Sequence, residues 1–205
     1  SIAYAQDTAA EEAPKEIVVS ALRRDQNLQD VPAAVTAFSA EAIENAKDKS
    51  KGKKTWSYEA INVRDFAFNS SRRLVWDAMA ADVEGKKVMC MSYYGKEAYP
   101  IYRKYSTKAV YHTIKTYSKF TIAYPYPVAI SVEASIGMEY PMIAMNYGRA
   151  EKDGTYSEAT KYGAIGVIIH EVGHNFFPMI INSDERQWTW MDEGLNTFVQ
   201  YLTEQ

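Results

Sequence analysis

The sequence predicts an α+β fold, on three observations: short runs of aromatic and β-branched residues between Trp56 and Met91, helical spacing from Ala98 onward, and two apolar-striped helices that close the chain around a loop. With 205 residues, 47% hydrophobic and 24% charged, the chain has the length and composition of one ordinary domain, or pieces of two, with a buried core. The net charge of -3 and the absence of a basic stripe exclude nucleic acid and anionic membrane surfaces as partners. No apolar run approaches the roughly 20 residues of a transmembrane helix. Cys90 is the only cysteine, so no internal disulfide framework or paired-thiolate site exists, and Val88-Met89-Cys90-Met91 reads it as a small buried hydrophobe.

Two unlike segments meet near residue 50, at the solvated run Lys47-Asp48-Lys49-Ser50-Lys51-Gly52-Lys53-Lys54. Ahead of it, Ala3-Tyr4-Ala5 has the form of a signal-peptide cleavage site, which predicts export to a bacterial cell envelope or periplasm. Ile17-Val18-Val19 and Val35-Thr36-Ala37-Phe38 are strand-type runs. After it, strands are expected around Trp56 to Val63, Leu74-Val75-Trp76 and Val88-Met89. A tyrosine-rich helix follows from about Ala98 to Lys119, with Ile101, Tyr105, Ala109 and His112 at helical spacing, and it stops before Tyr124-Pro125-Tyr126-Pro127. The sixteen tyrosines read as aromatic core and rim, and His112 as a packed or surface residue. Val128 to Val132 and Met138 to Met145 are expected strands around a turn at Ser135-Ile136-Gly137, with Pro141 marking a sheet edge.

Thr155 and Glu158 have capping-box spacing and predict a helix to about Phe177, striped by Tyr162, Ile165, Ile169, Val172 and Phe176. Its Gly163, Gly166 and Gly173 suggest close approach of a neighbouring element. Asp184 with Gln187 predicts the start of the last helix, striped by Leu195, Phe198, Val199 and Leu202.

The penultimate helix carries His170-Glu171-Val172-Gly173-His174, the H-E-x-x-H pattern. One turn takes 3.6 residues, so both imidazoles share a face and reach one ion about 2.0 to 2.1 Å away. Because His170 follows Ile168-Ile169 on an apolar helix, the rings are expected to be buried, where they need partners and a metal supplies one. Glu171 lies about 100° round the helix, placed to act on the attacking water without ligating the metal. Catalytic zinc takes a third protein ligand, and Glu193, returned to the histidine face by the helical hairpin, is the candidate, with Thr197 one turn on to support it. Glu139, on a predicted edge strand and sharing a face with Ile143 and Met145, is placed to meet a substrate's ammonium group.

The order Gly137-Met138-Glu139, then His170-Glu171-Val172-Gly173-His174, then Glu193 resembles the aminopeptidase N family of gluzincin zinc metallopeptidases over roughly residues 51–205. Lys54-Thr55-Trp56 and Asn62-Val63-Arg64-Asp65-Phe66-Ala67 resemble the stretch where that family's β domain meets its thermolysin-like catalytic domain. The resemblance implies the end of a β-rich domain over 51–85 and a thermolysin-like zincin catalytic domain, incomplete at its C-terminal end, over 86–205. It further implies one Zn2+ on His170, His174 and Glu193, Glu171 as general base, and Glu139 with Gly137 and Met138 binding a peptide's free N-terminus. The chain departs from the family pattern at Tyr140, where an asparagine is usual, at Asn175-Phe176-Phe177-Pro178, and in ending at Gln205, ahead of the family's transition-state tyrosine.

Residues 15–46, through Glu16-Ile17-Val18-Val19-Ser20-Ala21 and Leu28-Gln29-Asp30-Val31-Pro32-Ala33-Ala34-Val35-Thr36-Ala37-Phe38-Ser39, resemble the start of a TonB-dependent receptor plug, which makes 1–50 a signal remnant, plug-like tail and linker. Beside an aminopeptidase, two readings stay open: a zinc-holding chain without turnover, and a chimera whose N-terminal part is a receptor segment.

Overall fold

A computed structural model describes the backbone of residues 2–4, 18–21, 24–27, 58–71 and 73–205, and the side chains from residue 60 onward except 72. The chain divides into two compact units, Ser1–Phe68 and Asn69–Gln205. In the first, β1 (Ile2–Tyr4), β2 (Val18–Ala21), β3 (Arg24–Asn27) and β4 (Tyr58–Glu59) form an antiparallel sheet in the order β3-β2-β1-β4. Apart from these strands, the signal remnant and plug-like stretch expected in residues 1–46 lie outside the described residues.

The second unit is α+β, with three α-helices beside a five-stranded sheet. β5 (Val75–Val83) and β6 (Lys86–Tyr94) form a hairpin, so the boundary expected near residue 85 falls in the turn between two strands of one sheet. α1 (Tyr99–Phe120) then crosses over to β7 (Val128–Glu133), which pairs parallel to β6. β8 (Met138–Tyr140) and β9 (Ile143–Asn146) complete the order β5-β6-β7-β9-β8.

The expected continuous strand from Met138 to Met145 is therefore two antiparallel strands, and Glu139 faces Ala144 across the pair rather than sharing a strand with Ile143 and Met145. Pro141 has no amide for a ladder, and Met142 turns the chain with φ 68°. The edge position expected from Pro141 holds for β8.

α1 opens with Pro100 in its first turn, where the missing amide costs nothing, and buries Ile101, Tyr102, Ser106, Ala109, Val110, Thr113, Ile114 and Tyr117. That stripe is rotated from the expected one: Tyr105 and His112 lie at its margin, and His112 Nε2 lies 2.9 Å from Thr203 O. The buried tyrosines are core residues whose hydroxyls find acceptors. Tyr94 donates to Asp77, Tyr102 to Asn146 O at 2.7 Å and Tyr124 to Val128 O at 2.9 Å. Cys90 is fully buried, and burial pushes its thiol up to about 12.

α2 spans Glu158–Gly173. Its cap is Ser157, whose Oγ accepts from Thr160 N at 3.0 Å, whereas Thr155, the expected cap, donates its hydroxyl to Asp153 in the preceding turn. The helix ends earlier than expected: a π-type turn over Asn175–Ile180 follows, with Phe177 extended ahead of Pro178. α3 runs from Glu193 to Thr203, and Asp184 belongs to a turn in which its carbonyl accepts from Gln187 N and Trp188 N. Tyr162 and Phe198, on the predicted stripes, are exposed; Ile168, Ile169 and Val172 of α2 and Val199 of α3 are buried. Ser157→Ala should cost about 1 kcal/mol of stability, read by denaturant unfolding.

Candidate metal and peptide site

Three donor atoms converge where α2 and α3 meet. His170 Nε2 lies 3.1 Å from His174 Nε2 and 3.1 Å from Glu193 Oε2, and His174 Nε2 lies 3.5 Å from the same carboxylate oxygen. A tetrahedral zinc with ligands at 2.0–2.1 Å requires ligand–ligand separations of about 3.3–3.4 Å, and the three observed edges bracket that value. The helix supplies the first edge through its i, i+4 spacing, and the first turn of α3 supplies the carboxylate.

The protonation pattern points the same way. His170 Nδ1 lies 2.8 Å from Gln200 Oε1, and Gln200 Nε2 is itself engaged by Glu204 Oε1 and Gly166 O, which fixes the amide's oxygen toward the ring. His174 Nδ1 lies 2.8 Å from Phe177 O. With both Nδ1 atoms donating, both Nε2 atoms carry lone pairs. Two lone pairs and a carboxylate oxygen held at 3.1 to 3.5 Å repel one another unless a cation sits between them. The residues therefore fit a zinc ion on the chemistry of the donor set as well as its spacing.

Asp192 adds a carboxylate that the sequence reading did not assign. Its Oδ1 is 2.8 Å from His174 Nδ1, yet the N–H points to the Phe177 carbonyl, so the two atoms are in close contact and the oxygen has no hydrogen bond among the described residues. Burial, countered by His174 and reinforced by Glu139 and Glu193, raises the Asp192 carboxyl above its ordinary range. Thr197, expected to steady Glu193, is exposed, and Asn196 and Gln200 contact His170 instead.

Glu171 and Glu139 also stand beside His174, with ligand atoms of the three residues within 4.8 Å of one another. Glu171 is buried, and burial pushes its carboxyl up to about 7, with Glu139, Glu193 and Asp192 adding to the rise and His174 opposing it. Gly137 is shaped to this group: a Cβ there would lie 2.2 Å from Glu171 Oε1 and 3.1 Å from Val167 Cγ2. Side chains alternate along β8, so Met138 and Tyr140 project from the face opposite Glu139. Tyr140 thus does not join Glu139 in lining this site.

Asn175, which looked like a mere departure from a motif, ties the two halves of the site together. Its Oδ1 accepts from Met142 N at 2.7 Å and from Tyr124 Oη at 3.2 Å, while Nδ2 donates to Val172 O at 3.0 Å. The β8–β9 turn, and with it Glu139, is thereby anchored to the end of the histidine helix. A polar residue beside a metal motif is the sequence signal that marked it, but its partners lie 33 and 51 positions away.

A raised folded-state pKa means that the carboxylic acid is favoured in the folded state, so this contribution to stability is present below the unfolded value and fades as pH rises through about 7. In chelator, Glu171→Gln should therefore raise the melting temperature at pH 8 and leave it nearly unchanged at pH 5. Equal shifts at both pH values would contradict the assignment.

No protein-family profile and no curated protein matches the chain. Solved structures do. An M1 zinc metallopeptidase from Deinococcus radiodurans matches with TM-score 0.47 and 15% identity over 62% of this chain and 27% of its own. Legionella pneumophila aminopeptidase A, in complex with aspartic acid, matches with TM-score 0.55 and 12% identity over 64% of this chain and 16% of its own. Nothing in these matches supports the receptor-plug resemblance of residues 15–46. The chain spans about a quarter or less of these proteins, and what it shares with the Legionella protein is a fold over part of that protein's length.

Proposed function

We propose that the chain is part of a zinc-dependent aminopeptidase with a thermolysin-like catalytic fold, in which His170, His174 and Glu193 hold one Zn2+, Glu171 is the general base, and Glu139 binds the substrate's free amine. The observation that carries this reading is the pair of clusters that share His174: the three-donor set of His170, His174 and Glu193, and the two carboxylates of Glu139 and Glu171, with ligand atoms within 4.8 Å of each other and of a nitrogen of the ring.

The spacing favours an exopeptidase. An amino acid's nitrogen lies only about 2.5 Å from its own carbonyl carbon, from the bond lengths N–Cα and Cα–C and the angle between them. A carboxylate gripping the ammonium within 4.8 Å of the base leaves room for a single residue between the amine and the scissile bond. Glu139, at the sheet edge, meets the ammonium by a charge-assisted hydrogen bond. β8 offers main-chain groups to an extended peptide, while Met138 and Gly137 continue that strand's approach to the base.

A bound zinc ion would supply Lewis acidity, polarising the scissile carbonyl and acidifying a water. Glu171 takes the proton of the attacking water and returns it to the leaving amine. Its burial raises the carboxyl's hold on a proton, which favours taking one from the water.

The test is hydrolysis of aminoacyl chromogenic substrates by zinc-loaded protein beside the same substrates with acetylated amines. Cleavage only of the free-amine series is expected. Equal cleavage of both removes the role given to Glu139, and stoichiometric zinc without cleavage favours a zinc-holding chain without turnover.

A further inference from the structure

Glu193 is half exposed and sits in the first turn of α3, so its aim depends on how that helix is held against α2. α3 meets His170 at three points spaced i, i+3 and i+7 along one face. Glu193 approaches Nε2 at 3.1 Å, Asn196 Nδ2 donates to the backbone carbonyl at 2.8 Å, and Gln200 Oε1 faces Nδ1 at 2.8 Å. The middle point is locked from a third helix: Tyr117 of α1 directs its hydroxyl at Asn196 Oδ1 (2.8 Å) and Asn196 O (3.0 Å). Tyr117 and Asn196 are fully buried, so this bond is shielded from water.

The passage exists because residue 173 is glycine. A Cβ there would stand 2.3 Å from both Asn196 Oδ1 and Tyr117 Oη. Gly163 has open space at the same test and Gly166 only looser neighbours, so of the three helical glycines this one is shaped to a partner.

We infer that Tyr117 and Asn196, meeting in the notch left by Gly173, are positioning residues that set the rotation of α3 and thereby deliver Glu193 to the two histidines. The inference rests on the zinc site proposed above. Loss of the strut leaves all three metal donors in the chain but blurs their convergence, so zinc affinity falls.

Zinc affinity is to be measured by chelator competition on the whole chain, with thermal melting as a parallel reading of the fold. Tyr117→Phe keeps the ring against Phe176, at 5.2 Å between centroids, and removes only the hydroxyl. It should weaken zinc binding about ten-fold or more, in the range seen when groups supporting metal ligands are removed. Gly173→Ala should weaken it at least as much, because its methyl group would meet both Asn196 Oδ1 and Tyr117 Oη, and Asn196→Ala should weaken it to a similar extent, with Tyr117→Phe added to Asn196→Ala causing little further loss. A purely structural role would lower melting temperatures without moving the affinity of the folded fraction. Wild-type affinity in Tyr117→Phe, or wild-type affinity in Asn196→Ala should Tyr117→Phe fail to fold, overturns the strut. Failure of the wild-type chain to bind zinc overturns the site itself, a separate result.

Discussion

The wild-type chain is expected to retain one equivalent of zinc after dialysis against a weak chelator, and replacing His174 by alanine is expected to remove it. The ring is 1% exposed, and its Nε2 lies 3.1 and 3.5 Å from the other two donors of the set. Removing it leaves one imidazole and one half-exposed carboxylate, short of the three protein ligands that catalytic zinc sites use. The substitution also strips the Phe177 carbonyl of its donor and leaves a hole where a buried ring stood, so some destabilisation accompanies it. Glu193→Ala separates the two effects, because that side chain is 51% exposed and its removal opens no buried hole. Metal analysis should show loss of zinc in both variants and a lowered chelator-treated melting temperature only in His174→Ala. A full equivalent retained by either variant would remove the ligand set.

How much of this was legible beforehand follows from which interactions are local. His170 and His174 are joined by helical spacing alone, and Glu193 needs only that two consecutive helices pack as a hairpin, so all three were accessible to pattern and topology. The residues that orient them were not. Asn175, Asp192, Asn196 and Gln200 are ordinary polar letters until the fold brings each against a partner, and nothing in their spacing says which carbonyl or ring nitrogen that will be. Thr155 and Ser157 show a nearer ambiguity: both have capping side chains, and the choice was made by Asp153, which recruits Thr155 into its own turn. Pro141 in the sequence marks a sheet edge, but a missing amide fits an edge and a turn equally well, and here β8 supplies the edge while Pro141 lies in the turn that splits the expected strand in two. Periodicity located apolar stripes on α2 and α3, yet it cannot say which members a neighbour covers, and Tyr162 and Phe198 stand exposed.

Glu171→Gln should leave zinc content and the folded structure intact while lowering kcat for aminoacyl substrates by about 10²- to 10⁴-fold, the usual contribution of a positioned general base. The side chain keeps its size, so the fit against Gly137, where a Cβ would approach within 2.2 Å of Oε1, is preserved. What is lost is the ability to accept a proton: a neutral amide in a buried pocket beside Glu139 and His174 is not a base at any working pH. The pH profile carries the sharper signature. The working form of Glu171 is the ionised one, and its carboxyl is held up at about 7 by burial, so wild-type kcat/KM should climb with pH on its acid limb. A cation in the neighbouring donor set favours the carboxylate and moves that limb to lower pH, so the limb should lie below the value set by burial alone. In Glu171→Gln the limb should vanish along with the rate. A variant that turns over within ten-fold of wild type, or that keeps the same acid limb, would take the role of base away from Glu171 and leave the metal assignment standing, because His170, His174 and Glu193 are untouched by the change.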